Sequence, residues 1–321
     1  MGAVGVIKRK GRAYRSQEEK ALAPQAEQQD PLFDAHAHFF TNDIAHYPIN
    51  TANAREGEEN IRKRIVSEPA TPEAILPVWE KCGVVGGAGV QYNTVYKTDN
   101  SYIMDVSDRH PDKISSVVIL HADAPDTPAT LEKMIVERNV VGLRLYGRQT
   151  EDGTTPWLDS PEAHQTWRIA DKYRLNMVLM YSPQGSFATA LPRIAALART
   201  YPATRISLDH FGWPVSGASN LGLTQEHVAL TAFKNIYFKL STINFNIFRE
   251  AGVDCAEFLR NAVDVVGADH IMWGSDQGNT LEDYGRMAQR AREAASLLTK
   301  EERRKVLCET GKGLFARKQK D

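Results

Sequence analysis

The segment Phe33-Asp34-Ala35-His36-Ala37-His38-Phe39 sets two histidines two residues apart in an apolar run. Residues so spaced on a β-strand point to the same side, so His36 and His38 converge. Two converging imidazoles suit a divalent metal, or a pair of donors that polarise a carbonyl, and the same pair also reads as satisfied core histidines. Other polar groups end similar runs. His210 closes Ile206-Ser207-Leu208-Asp209-His210, and Asp276 closes Ile271-Met272-Trp273-Gly274-Ser275-Asp276. An aspartate there can bind a metal or take a proton from water, and its competing role is to cap the next helix. Arg144 lies inside the apolar Gly142-Leu143-Arg144-Leu145 and needs a buried partner or a ligand. Its guanidinium can grip a substrate carboxylate through two parallel hydrogen bonds. Arg148 in the following loop adds charge or stays solvated. Tyr181, at the end of a further run, donates to a substrate oxygen or caps the core. His121 ends another run, and Asn244 and Asn246 follow a later one.

These groups need elements that bring them to one place. The apolar, β-branched runs are Leu32–Phe39, Val84–Gln91, Ser115–His121, Val140–Tyr146, Asn176–Ser182, Arg205–Phe211, Asn235–Ser241 and His270–Asp276, eight candidate strands in all. Helix-like segments alternate with them, opened by Thr71-Pro72-Glu73, by Ser160-Pro161-Glu162 and by Asp254 ahead of Phe258 and Leu259. Eight βα repeats close most naturally into a (β/α)8 TIM barrel, an α/β fold with chemistry at the C-terminal ends of the strands. An open doubly wound sheet fits less well, because no glycine-rich turn follows the first strand. Neither a phosphate-cradling GxxxxGK[ST] loop nor a GxSxG elbow is present. Thr41–Ala70 and Gly212–Thr224 follow strand ends without strong periodicity and are expected to wall the mouth.

The 321 residues split as a mobile arm over 1–30, which opens with Lys8, Arg9, Lys10, Arg12 and Arg15, and one barrel domain over 31–321. Lys plus Arg (39) balances Asp plus Glu (40), so there is no electrostatic footprint for nucleic acid or an anionic membrane. No apolar run is long enough to cross a bilayer. Three dispersed cysteines, Cys82, Cys255 and Cys308, make neither a disulfide framework nor a thiolate zinc site, which reads as a reducing, cytoplasmic location. The expected partner is a small-molecule, anionic substrate. Homo-oligomerisation is left open.

Taken together, Asp34-Ala35-His36-Ala37-His38, Gly142-Leu143-Arg144-Leu145, Asp209-His210-Phe211-Gly212-Trp213-Pro214 and Trp273-Gly274-Ser275-Asp276 resemble, in order, the amidohydrolase superfamily. Within it the sequence is similar to the amidohydrolase-related branch that holds the 2-pyrone-4,6-dicarboxylate lactonases and sugar lactonases, over residues 31–316. Metal-dependent members carry a fifth-strand histidine, whereas here the strand reads Met177-Val178-Leu179-Met180-Tyr181-Ser182. The resemblance therefore implies a hydrolase that opens a lactone or related cyclic ester and needs no cofactor. Asp276 would activate water, His36, His38 and His210 would donate N–H groups to the carbonyl oxygen, and Arg144, Tyr181, Arg148 and His121 would bind substrate. The alternative is a divalent metal, zinc or manganese, held by His36, His38 and Asp276, as in a metal-dependent decarboxylase of the same branch. A lactone isomerase and a non-catalytic binding barrel are further rivals. The ending Val306–Phe315 lacks the branch's usual asparagine, a departure expected to touch packing more than chemistry.

Overall fold

The computed structural model describes residues 29–181, 187–215 and 220–317. The expected arm, up to residue 28, thus lies outside the described residues, as do Ser182 and the last four residues. Among the described residues eight strands form: β1 (Leu32–Ala37), β2 (Val84–Val90), β3 (Ile114–Ile119), β4 (Gly142–Gly147), β5 (Asn176–Tyr181), β6 (Arg205–Leu208), β7 (Ile236–Ser241) and β8 (Ile271–Gly274). They pair in chain order, each parallel to the next. Backbone bonds from Asp276 N to His36 O (2.8 Å) and from His38 N to Gln277 O (2.9 Å) join the last strand's end to the first, completing the expected barrel.

That seam depends on one glycine. A Cβ at Gly274 would lie 2.6 Å from the Cβ of His36 and 2.9 Å from its backbone nitrogen, so any larger residue would push β8 off the first histidine.

Inside the barrel Phe33, Ala35, Ala88, Val90, Val117, Val178 and Met272 pack on one another and on Leu314 and Phe315. Burial of each large side chain contributes about 1.5–3 kcal/mol, which makes the wall stiff enough to hold side chains at its rim in place. The floor is the C-terminal helix Thr310–Phe315, tied to β5 by Asn176 Nδ2 donating to Leu314 O at 2.8 Å. The outer helices start where their signals stand. Pro72 opens the helix Pro72–Lys81, and Asp254 Oδ1 accepts from Ala256 N (2.7 Å) and Glu257 N (3.0 Å) ahead of Cys255–Val266. Among the described residues no helix is long and apolar enough to cross a membrane.

Two differences from the sequence reading bear on the site. The mouth loop Thr41–Ala70 contains a helix, Glu58–Ser67, whose only buried residues are Ile61 and Ile65, too thin a stripe to stand out in sequence. In addition β6 stops at Leu208 and β8 at Gly274, earlier than expected, because the chain leaves the sheet in left-handed turns. His210 (φ 51°), Phe211 (φ 58°), Trp213 (φ 59°) and Asp276 (φ 58°) all sit there. Non-glycine residues pay for that conformation, and such strain clusters where a side chain must be aimed.

Candidate active site

Asp34 fixes the base of the site. Its Oδ1 accepts from His36 N (3.0 Å) and Ser275 N (2.8 Å), and its Oδ2 from Ser275 Oγ (2.5 Å) and Tyr284 OH (2.8 Å). One buried carboxylate thus clamps β1 to the turn after β8. It sets the height at which His36, His38 and Asp276 meet.

Above the clamp the three converge. His36 Nε2 and His38 Nε2 are 3.3 Å apart, and each is 3.5 Å from Asp276 Oδ1. All three are buried. The other ends of the rings settle which atoms carry hydrogen. His38 Nδ1 lies 2.9 Å from Val90 O, a pure acceptor, so Nδ1 donates. His36 Nδ1 faces Asp209 Oδ1 at 3.1 Å and donates likewise. Two Nε2 atoms at 3.3 Å cannot both bear protons, and burial lowers the pKa of His36 to about 3 against the opposing pull of Asp209. The neutral His36 ring therefore turns a lone pair toward Asp276, where an N–H donor had been expected.

Asp276 is anchored on one side only. Its Oδ2 accepts from Asn279 Nδ2 (2.9 Å) and Thr280 Oγ1 (2.7 Å), which leaves Oδ1 toward the imidazoles. Burial opposes its ionisation, yet the surrounding imidazoles of His38, His210 and His36 outweigh it and hold the carboxyl below the ordinary range. His210 Nδ1 is 2.7 Å from Ser241 Oγ, and its ring lies 5.6 Å from that of His36. Asn244 holds this arrangement, with Nδ2 donating to His210 O at 2.8 Å and Oδ1 accepting from Ser241 N at 3.0 Å. Burial lowers the His210 pKa as well, with Asp276 opposing.

Asp209 is the hub behind the histidines. Besides His36 it binds Arg144, whose Nε donates to Oδ2 at 2.8 Å, and Lys239, whose Nζ lies 3.3 Å from Oδ1. Burial works against its charge, but His36, Lys239 and Arg144 keep it firmly ionised. Arg144 thereby has its buried partner and stands next to the cluster. Sequence reasoning passed over Asp209 and Lys239. Yet Lys239 stands in Ile236-Tyr237-Phe238-Lys239-Leu240-Ser241 as Arg144 stands in its own strand, a charge inside an apolar run, so the same signal was present.

Three expected substrate-binding residues lie apart from this cluster. The Tyr181 hydroxyl donates to Gly212 O at 2.6 Å and its ring is buried, so it braces the turn that carries His210, and burial raises its pKa. Arg148 is exposed, its carbonyl accepting from Trp157 Nε1 at 3.1 Å. His121 is exposed beyond the end of β3, and its carbonyl accepts from Thr127 Oγ1 at 2.7 Å. Tyr92, not anticipated, stacks on His38 with ring centroids 4.8 Å apart and helps set its plane.

A parallel barrel with a buried, strained and charged cluster at the C-terminal ends of β1, β6 and β8 defines an enzyme of the (β/α)8 class. Residues 33–316 match the family described as Amidohydrolase, and the chain belongs to that family. It is 26% identical over 255 residues to L-fucono-1,5-lactonase of Burkholderia ambifaria, which covers 76% of this chain and 79% of that one. In fold it is similar to a probable 2-pyrone-4,6-dicarboxylic acid hydrolase of Acinetobacter baumannii with citric acid bound (TM-score 0.66, 20% identity, 88% of this chain and 98% of that). It is also similar to a dihydroxybenzoic acid decarboxylase of Polaromonas with bound manganese (TM-score 0.63, 16% identity, 89% and 97%).

Proposed function

We propose that the protein hydrolyses a lactone or related cyclic ester, on a substrate that carries a carboxylate. The observation behind this reading is the buried, ionised Asp276, pinned through Oδ2 and open at Oδ1, with Arg144 in the same mouth. The lactonase among the relatives and the pyrone dicarboxylic acid hydrolase of like fold support it. Asp276 Oδ1 takes a proton from water as the water oxygen adds to the ester carbonyl carbon. The ring C–O bond then breaks, and the proton passes to the departing alkoxide, so a hydroxy acid leaves and Asp276 is restored. His210, oriented by the 2.7 Å contact between its Nδ1 and Ser241 Oγ, turns its other nitrogen to the carbonyl oxygen and polarises it. Arg144, with Nε spent on Asp209, grips the substrate carboxylate through its Nη atoms.

The donor set also fits a divalent cation. Two imidazole Nε2 atoms and a carboxylate oxygen meet within reach of one point, and each imidazole is oriented by a bond from its far nitrogen, to Asp209 and to Val90 O. His36, His38 and Asp276 would hold zinc or manganese, three protein ligands with positions left for water and substrate. Such an ion, when bound, polarises a carbonyl oxygen and acidifies its water. Because that set also favours a metal-dependent decarboxylase, the test has two arms. Protein purified without added metal or chelator is assayed for zinc and manganese by mass spectrometry, then given carboxylated lactones, their neutral analogues, and dihydroxybenzoic acids. Acid release from carboxylated lactones, with KM raised about 10–100-fold in Arg144→Gln, supports the proposal. Carbon dioxide release from the benzoic acids with inert lactones overturns it.

A further inference from the structure

Lys239 is a fully buried ammonium group in the middle of the barrel. Its Nζ has no hydrogen-bond partner among the described residues, its approach to Asp209 Oδ1 being an ion pair by distance alone, at 3.3 Å. On its other side, 4.7 Å from the ring centroid, lies Phe315 of the C-terminal helix that floors the barrel. Burial pushes the lysine's pKa down, and Asp209 pulls it back up.

For stability alone this is a poor arrangement. A buried ammonium costs several kcal/mol to desolvate, and an apolar side chain of like length would pack as well. What the charge does can be read from the Asp209 carboxylate. Oδ2 is claimed by Arg144, whereas Oδ1 is shared by His36 Nδ1 at 3.1 Å and Lys239 Nζ at 3.3 Å. Without Lys239, Arg144 is, among the described residues, the one full charge on this carboxylate, and the His36 N–H alone opposes its rotation toward the guanidinium. Rotation in that direction withdraws Oδ1 from His36, and the imidazole then loses the acceptor that keeps its proton on Nδ1.

We infer that Lys239 is a positioning residue that locks Asp209 in the rotamer accepting from His36 Nδ1, with the Phe315 ring as the floor that holds the lysine up. The last turn of the described chain is in this way connected to the mouth, through Phe315, Lys239, Asp209 and His36. The ending of the chain thus bears on the chemistry, where the sequence reading had assigned it to packing. The inference rests on the proposed function only in taking His36 as part of the working cluster.

The test uses the full-length protein and two readouts that need no substrate. Imidazole ¹⁵N shifts at neutral pH, with His36 assigned through His36→Gln, report which nitrogen carries the proton, and calorimetric titration with zinc reports the cluster's affinity. Wild type is expected to show His36 protonated on Nδ1. Lys239→Met, which keeps length and removes charge, is expected to move protons onto Nε2 and to weaken zinc binding about 10–100-fold in the folded protein, with a lower melting temperature because Asp209 loses a counter-charge. Phe315→Leu is expected to shift both readouts in the same direction and by less. A Lys239→Met protein with the wild-type His36 tautomer and zinc affinity overturns the inference. Should that variant not fold, Phe315→Leu with wild-type readouts overturns it, and should wild type bind no zinc, the tautomer alone decides. Lactones found inert beside a shifted tautomer sink the lactonase reading and leave this one standing.

Discussion

Asp34 and Asp276 flank the same seam between β1 and β8, and both are buried, yet they are opposite in kind. Asp34 receives four hydrogen bonds, two on each oxygen, all from backbone or hydroxyl donors of the fold itself. Burial raises its pKa against those bonds, and nothing is left over for a ligand. Asp276 has one oxygen satisfied and the other turned to the Nε2 atoms of two imidazoles 3.5 Å away. A carboxylate completed by its own fold is a fastener, and one left half-completed in a low-dielectric mouth is a reagent. Backbone strain marks the same division, since Asp276 is left-handed and Asp34, within β1, is not.

The comparison breaks most visibly in a pair of isosteric variants. Asp276→Asn removes the proton acceptor and leaves the fasteners, so kcat/KM should fall by about 10³-fold or more while the urea midpoint stays near wild type. An Asp276→Asn enzyme within tenfold of wild type would mean that the half-open carboxylate is not the base. Asp34→Asn should do the reverse. An amide presents N–H groups to the Ser275 and Tyr284 donors, leaving buried groups unpaired at a cost of about 2–4 kcal/mol in urea unfolding. Activity per folded molecule is expected to survive in part. If Asp34→Asn unfolds like wild type, the seam is held by something else.

Acid should find the cluster before it finds the clamp. The folded pKa of His36, about 3, lies below its ordinary unfolded value near 6.5. The unfolded chain therefore binds a proton that the folded one refuses as pH falls through 6.5. Stability that is complete above that value is lost below it, by up to about 1.4 kcal/mol per pH unit for this one group. His210, also lowered, adds in the same direction. The depressed carboxylates, Asp209 and Asp276, lose their contribution only below their ordinary range near 4. Protein stripped with chelator should thus lose stability steadily from pH 6.5 to 4.5 in urea titrations, and His36→Gln should flatten that slope. A pH-independent midpoint over this window would place a charge on His36 in the folded state.

How far the sequence reaches follows from the same contrast. The eight strands and the barrel were legible because period-two apolar runs and helix-start signals are local, and so was the HxH convergence, which is a matter of strand geometry. The partner sets were not. Asp209 sits beside His210 in the chain, but its role comes from His36, Arg144 and Lys239, which arrive from three other strands. Tautomers were equally out of reach, because the carbonyl of Val90 that fixes His38 is an anonymous backbone atom 52 residues away. Strand ends were overrun at His210 and Asp276 because a left-handed turn at a non-glycine residue has no sequence signature.

The smallest expected effect concerns Tyr181, a fastener of the Asp34 kind placed at the end of β5, where the family resemblance would put a reagent. Its hydroxyl donates to Gly212 O at 2.6 Å, and the same carbonyl also receives His227 Nε2 at 2.8 Å. Tyr181→Phe therefore leaves that oxygen with one partner and removes a single neutral hydrogen bond, a cost of about 1 kcal/mol. The backbone Tyr181 O, which accepts from Trp213 Nε1 at 2.8 Å, is unaffected by the substitution. The brace on the left-handed turn loosens slightly, so kcat is expected to drop by a few-fold through His210 while KM for a carboxylated lactone stays put. A KM rise of tenfold with unchanged stability would show instead that the hydroxyl leaves Gly212 to meet the substrate, which moves Tyr181 from the fasteners to the reagents.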